Sequence, residues 1–153
     1  MIDPDDFIVL AIKLSKGRHE ADLRSAVSRA YYGAFHSARQ LVEECGVKIS
    51  RRHLYAADIH RKVRFCLDHS GNSLAIKAAE KLDSLRGRRN EADYDLSSAD
   101  FTPPRVALQL RASQEIIDAL RNCRAEPAFS QLGAEIREYA RDVLRLQVEE
   151  PKG

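Results

Sequence analysis

The side chains best suited to chemistry fall in two stretches, one around Arg29, Tyr32 and His36 and the other in Arg86-Gly87-Arg88-Arg89-Asn90-Glu91-Ala92-Asp93-Tyr94. On a helix, Arg29, Tyr32 and His36 stand at offsets of three and four and therefore share a face. Arg86, Arg89, Asn90 and Asp93 stack in the same way, with Arg86 to Asn90 and Arg89 to Asp93 as i,i+4 pairs. If the two helices are neighbours, an arginine, a tyrosine and a histidine face two arginines, an amide and a carboxylate. Guanidinium groups present donors in a fixed fork that suits phosphate, and an amide adds a directional donor. Imidazole exchanges a proton near neutral pH, so His36 is the candidate to move one while the arginines stabilise charge developing on a phosphate. The structural alternative is a closed network in which Asp93 pairs with Arg89 or Arg29 and Asn90 bonds to the backbone, since charges between helices must be paired or solvated.

The elements that would position these groups are helical throughout. Asp3 as cap and Pro4 in the first turn start a helix over residues 4–15 with Phe7, Leu10, Ala11 and Leu14 on its apolar face, ended by Gly17. A long second helix covers about 20–44, with apolar residues from Leu23 to Leu41 at helical spacing and Gly46 as its stop. A third is expected over about 52–68, and Gly71-Asn72 punctuates the turn to a fourth over 73–94. The segment 96–104 is a linker. Thr102-Pro103 then opens a fifth helix that runs to about Asn122, and a last helix spans about 126 to 146. Long helices joined by short connections favour an all-α, antiparallel four- or five-helix bundle with an additional C-terminal helix. One helical domain over 1–146 and a frayed tail over 147–153 complete the expected organisation.

The chain of 153 residues has 44% hydrophobic and 31% charged residues, which describes a packed globule and not a disordered chain. Cys45, Cys66 and Cys123 form no CxxC pair and read as buried thiols in a reducing compartment. The acidic start and the lack of any long apolar run argue for the cytoplasm and against a membrane. Net charge is only +2, from 25 basic and 23 acidic side chains. Between Lys48 and Arg64, however, six bases face Asp58 as the one acid, a patch that either meets phosphate or forms a solvated face. His53 and His60 lack the ligand cluster a metal needs, and there is no Gly-rich phosphate loop, HExxH element or serine elbow. No cofactor is expected.

The run Ser28-Arg29-Ala30-Tyr31-Tyr32-Gly33-Ala34-Phe35-His36-Ser37-Ala38, followed at this separation by Leu85-Arg86-Gly87-Arg88-Arg89-Asn90-Glu91-Ala92-Asp93-Tyr94, resembles the HEPN family over about residues 5 to 122. The first phrase is similar to the family's tyrosine-rich helix ending in Phe-His, and the second to its Arg-Asn segment followed by Asp-Tyr. The resemblance implies a helical bundle that often dimerises, with two Arg-Asn segments near a shared cleft. Many members are metal-independent ribonucleases, including toxins encoded beside nucleotidyltransferases and effectors of antiviral defence. Their motif is an arginine and a polar residue, with a histidine after four to six intervening residues. Arg89 and Asn90 match its beginning, whereas Tyr94, Asp95 and Leu96 fill the histidine positions.

Three expectations follow from this resemblance. One is a homodimeric RNA-associated protein, which as a metal-independent ribonuclease of a toxin-antitoxin or defence system would have Arg89, Asn90 and His36 as its catalytic candidates. Arg29, Tyr32, Arg86, Asp93 and Tyr94 would then bind RNA or phosphate, and a nucleotidyltransferase antitoxin or other companion protein is the implied partner. In this route the ribose 2′-hydroxyl attacks the phosphate and leaves a 2′,3′-cyclic product. The others are a noncatalytic module for nucleotide, RNA or protein, and a structural dimerisation domain.

Overall fold

The computed structural model describes residues 1–151, and its helices begin and end where the chain supplies partners for unpaired backbone groups. The Asp3 side chain accepts the Asp5 N–H at 2.9 Å and the Asp6 carboxylate accepts the Asp3 N–H at 2.9 Å, which opens α1, Pro4–Ser15. The Asn72 side-chain carbonyl accepts from Leu74 N at 3.0 Å and Ala75 N at 3.1 Å and starts α5, Ser73–Tyr94. Between them lie α2, Glu20–Glu44, α3, Arg51–Leu54, and α4, Ile59–Asp68, and after them α6, Pro103–Asn122, and α7, Ala128–Asp142. The fold is all-α, with seven helices and no β-strand among the described residues. None of these helices is long and apolar enough to cross a membrane.

The chain divides into two compact units. The first consists of Met1–Ser37 with Lys81–Asp118. Its core joins Ala11 of α1, Leu23, Ala26, Val27 and Ala30 of α2, Ala92 of α5, Phe101, and Val106 and Leu110 of α6. The alanines let helices approach closely, and so does Gly33, where a Cβ would stand 2.6 Å from Ile8 Cδ1. The inner face of α1 is rotated from the expected one. Pro4, Ile8 and Ala11 are buried, whereas Leu10 is 42% exposed, because the close approach at Gly33 selects Ile8.

The second unit consists of Ala38–Glu80 and the chain from Ala119 onward, and in it α4 packs against α7. The rings of His69 and Tyr139 stack there at 3.8 Å. The single helix expected over 52–68 is two, α3 and α4. An unbroken helix would place Tyr55, four residues before Ile59, on the face that Ile59 and Val63 bury, and the break at residues 55–58 leaves its ring in water. The last helix is also shorter than expected. It ends at Asp142, and Arg145 takes the left-handed conformation that turns buried Leu146 inward. The start of the supposed frayed tail is paired: Lys48 N donates to Gln147 O at 2.8 Å, Glu149 N donates to Gly46 O at 2.7 Å, and Val47 bridges Val148. Gly46 is required at this crossing, because its φ is 100° and a Cβ would run into Glu149 O.

Cys45, Cys66 and Cys123 are free and buried. Burial pushes the Cys45 and Cys66 thiols up to about 12 and raises Cys123 in the same direction. All three are therefore withheld as thiols at neutral pH, and a thiolate-selective aromatic disulfide is expected to label them only as fast as the chain unfolds. These acids ionise less readily folded than unfolded, so their stabilisation is complete below the ordinary thiol value of 9.0 and is lost as pH rises from there through about 12. Denaturant midpoints across that range, with labelling rates at pH 8, test both statements. Equal labelling of native and denatured chains would contradict them.

Candidate functional site

Within the first unit, α2 carries polar residues at steps of four, Glu20, Arg24, Ser28, Tyr32 and His36, of which Arg24, Ser28 and Tyr32 reach α5. A step of four overshoots one helical turn by only about 40°, so these side chains follow one slowly winding ridge. The ridge meets α5 antiparallel, since Arg24 reaches the carbonyls of Glu91 and Ala92, Ser28 reaches Asp93, and Tyr32 reaches Arg89.

Arg24 fixes the end of α5. It is only 8% exposed, and its Nη1 donates to the carbonyls of Ala92 at 3.0 Å and Asp95 at 2.8 Å, with Glu91 O at 3.4 Å. Nη2 donates to Ser98 O at 2.8 Å, Nε pairs with Glu20 at 2.7 Å, and the guanidinium lies 4.5 Å from the Phe101 ring centroid. A cation at a helix C-terminus answers both the unpaired carbonyls and the helix dipole. Hydrogen bonds from a charged group contribute about 1.5–3 kcal/mol each, against about 0.3–0.5 kcal/mol for an i,i+4 surface ion pair, so the carbonyl contacts dominate the setting of Arg24.

One turn back along α5, Arg89 is held on three sides. Its Nη2 donates to the Tyr32 hydroxyl at 2.8 Å, Nη1 donates to Asn90 Oδ1 at 3.1 Å, and Nε lies 2.9 Å from Asp93 Oδ2. The last is an ion pair by distance only. The Nε hydrogen is not directed at that oxygen, and it has no hydrogen-bond acceptor among the described residues. Asp93 also accepts from Ser28 Oγ at 3.3 Å. The guanidinium lies 5.3 Å from the Tyr32 ring centroid and 5.7 Å from that of Tyr94, which is 73% exposed.

Arg29 stands 5.2 Å from the same Tyr32 centroid and is half-buried. Arg86 is half-buried too, close enough to Tyr31 that it and Arg89 offset part of the rise that burial imposes on the Tyr31 phenol. Among the described residues, neither Arg29 nor Arg86 makes an ion pair or a side-chain hydrogen bond. His36 belongs to an aromatic stack, 5.4 Å from Phe7, 5.3 Å from Phe35 and 6.2 Å from Tyr32 between centroids.

The structure thus gathers Arg29, Tyr32, Arg89, Asn90, Asp93 and Tyr94, with Arg86 beside Tyr31 and His36 in the ring stack behind Tyr32. Sequence reasoning passed over Arg24 and Ser28, and the signal that finds them is the run of polar residues at steps of four through Tyr32. No group of three or more His, Cys, Asp or Glu side chains among the described residues could hold a metal ion. No family model, curated protein or solved structure matches the chain.

Arg24→Met keeps the length of the side chain and removes the donors, leaving several carbonyls unsatisfied. It is expected to cost about 2–3 kcal/mol, read as a shift of the urea midpoint at unchanged slope. Tyr32→Phe deletes one hydroxyl and is expected to cost about 1 kcal/mol, with the Arg89 side-chain NMR resonance losing its slow-exchanging character. An unaltered Arg89 signal would break the assigned link.

Proposed function

We propose that the chain is a HEPN-type RNA-associated protein that holds an RNA phosphate at Arg29, Arg86 and Arg89 without cutting it. The observation that carries this reading is the pair of half-buried guanidinium groups without a carboxylate, Arg29 and Arg86, set beside an Arg89 whose position three partners fix. A partly desolvated cation outside any ion pair gains from an oxyanion what a paired one has already obtained from its carboxylate. Arg89 brings pre-organisation and Arg29 and Arg86 bring unspent charge. The exposed ring of Tyr94 beside Arg89 offers a face on which an unpaired base can stack, which favours RNA over a free phosphate.

Binding without cleavage rests on the residue at the motif position. Tyr94 stands where the HEPN ribonucleases that the sequence resembles carry histidine, and His36 is engaged in the ring stack with Phe7 and Phe35. The antiparallel four- or five-helix HEPN bundle with an additional C-terminal helix, the homodimer, the cytoplasmic setting and a nucleotidyltransferase or other companion protein belong to the same proposal and rest on the sequence.

A fluorescein-labelled single-stranded RNA, titrated in chelator, is expected to bind and to be recovered intact. Arg29→Gln with Arg86→Gln should weaken binding at least tenfold and lower the slope of log K against log salt by roughly 1.4, two contacts at about 0.7 each for a single strand. Asp93→Asn, which frees Arg89 from its carboxylate, should tighten binding. Arg89-dependent accumulation of 2′,3′-cyclic phosphate ends would replace the binding reading with the ribonuclease, and equal binding by the double variant would remove the site.

A further inference from the structure

The basic segment between Lys48 and Arg64 lies wholly in the second unit, and the structure sorts its six bases into two groups. Lys48 pairs with Glu149 at 2.8 Å, Lys62 with Asp58 at 3.1 Å, and Arg64 with Asp68 at 3.6 Å. Arg51, Arg52 and Arg61 make no ion pair or side-chain hydrogen bond among the described residues. Asp58, the one acid in the stretch, is committed to Lys62, whose hydrogen bond is the main reason that its carboxyl titrates below the usual range. Nothing acidic within the segment is left to neutralise Arg51 and Arg52.

The break between α3 and α4 gives these two arginines a companion. Tyr55 N donates to Arg51 O at 3.2 Å, so Tyr55 stands one turn beyond Arg51 and three residues beyond Arg52, on the side of the helix they share. Its ring is 86% exposed. An exposed aromatic ring one helical turn from two arginines outside any ion pair is the combination that single-stranded nucleic acid uses, a base on the ring and the adjoining phosphates on the guanidiniums. An anionic membrane fits less well, because surface helices that insert carry an apolar stripe over several turns, and α3 is a single turn without a buried residue.

We propose that Arg51, Arg52 and Tyr55 form a second contact for single-stranded RNA, separate in residues from the Arg29–Arg86–Arg89 site. Its ligand class rests on the RNA reading of that site, and its geometry does not. Arg61, the third residue of α4, adds charge.

The chain has no tryptophan, so Tyr55→Trp installs a lone indole at an exposed position where folding is little disturbed. Full-length Tyr55→Trp is titrated in chelator with a 12-nucleotide oligouridylate and, separately, with phosphatidylserine–phosphatidylcholine vesicles. Stacking predicts saturable quenching by the RNA. Adding Arg51→Gln and Arg52→Gln should raise the RNA concentration at half-quenching about tenfold or more and reduce its salt slope by roughly 1.4. Adding Arg29→Gln and Arg86→Gln instead should leave the quenching amplitude in place.

Quenching that ignores Arg51→Gln and Arg52→Gln overturns the second contact. So does an unquenched indole in a protein that still binds RNA through Arg29 and Arg86, and in that case the first site stands. Quenching by vesicles and not by RNA overturns it in favour of a lipid surface. Quenching that depends on Arg51 and Arg52 while Arg29→Gln with Arg86→Gln changes no RNA affinity supports the second contact and removes the first site. No RNA binding by either set of residues overturns both. Thermal melting of each variant confirms that a lost signal is not a lost fold.

Discussion

The buried guanidinium of Arg24 is the constraint on which the first unit depends. A helix that ends in a loop leaves its last carbonyls without donors, and at the end of α5 the side of Ala92 is buried against the core that includes Phe101. Arg24 brings donors to Ala92, Asp95 and Ser98 from a neighbouring helix, so the termination of α5 and its placement on α2 are one interaction. Its own charge is balanced by Glu20 one turn earlier on α2 and by the carbonyl end of the α5 dipole. Once residues 92 to 98 are clamped to Arg24, the antiparallel course of the two helices sets the remaining pairs. Ser28 meets Asp93, and Tyr32 meets Arg89. The placement of Arg89 is thus inherited from an arginine two turns away that touches no solvent-facing chemistry.

Pairing decides what each remaining arginine is able to do. Arg88 is shared between Glu91 at 3.0 Å and Asp100 at 3.4 Å, and Arg105 is also on Asp100, so these cations brace the segment after α5 and offer little to an incoming anion. Arg89 is intermediate. Its ion pair with Asp93 is off-axis, and two of its nitrogens are committed to neutral acceptors that orient the group without cancelling its charge. Arg29 and Arg86 carry no such discount. The same distinction separates Arg51 and Arg52 from Lys48, Lys62 and Arg64, which explains why the total of six bases says less than which three have partners.

Much of this was legible in the residues because its causes are local. Asp3 with Pro4, Gly71 with Asn72, and Thr102 with Pro103 act within a few positions of themselves, and the helix starts they mark are observed. The Arg89–Asp93 pair follows from the helical period alone. What escaped depends on partners far along the chain. The face of α1 is chosen by Gly33 on α2, the end of α7 by the crossing of residues 46–48 with residues 147–149, and the break at Tyr55 by the burial of Ile59 and Val63. Arg24 and Ser28 were missed because each, taken singly, is an ordinary polar residue on a long helix. Only the regular step of four from Glu20 to His36 marks them as one ridge.

That ridge also bears on the chemistry of the site. A ribonuclease of the kind the sequence resembles needs both a grip on the phosphate and a group that exchanges protons near neutral pH, and these are separate requirements on separate residues. The first requirement is one that the setting of Arg89 can meet, since Tyr32, Asn90 and Asp93 fix it from three directions. At the motif position Tyr94 turns a mostly exposed ring toward the guanidinium, which gives a base a surface and gives the phosphate no imidazole. His36 has exchanged reach for packing among Phe7, Tyr32 and Phe35, where its ring helps to stiffen the tyrosine that holds Arg89. On the proposed reading, a site that positions Arg89 from three sides and sets a stacking ring, not an imidazole, beside it has the physical properties of a receptor, whose arginines would hold a phosphate without cutting it.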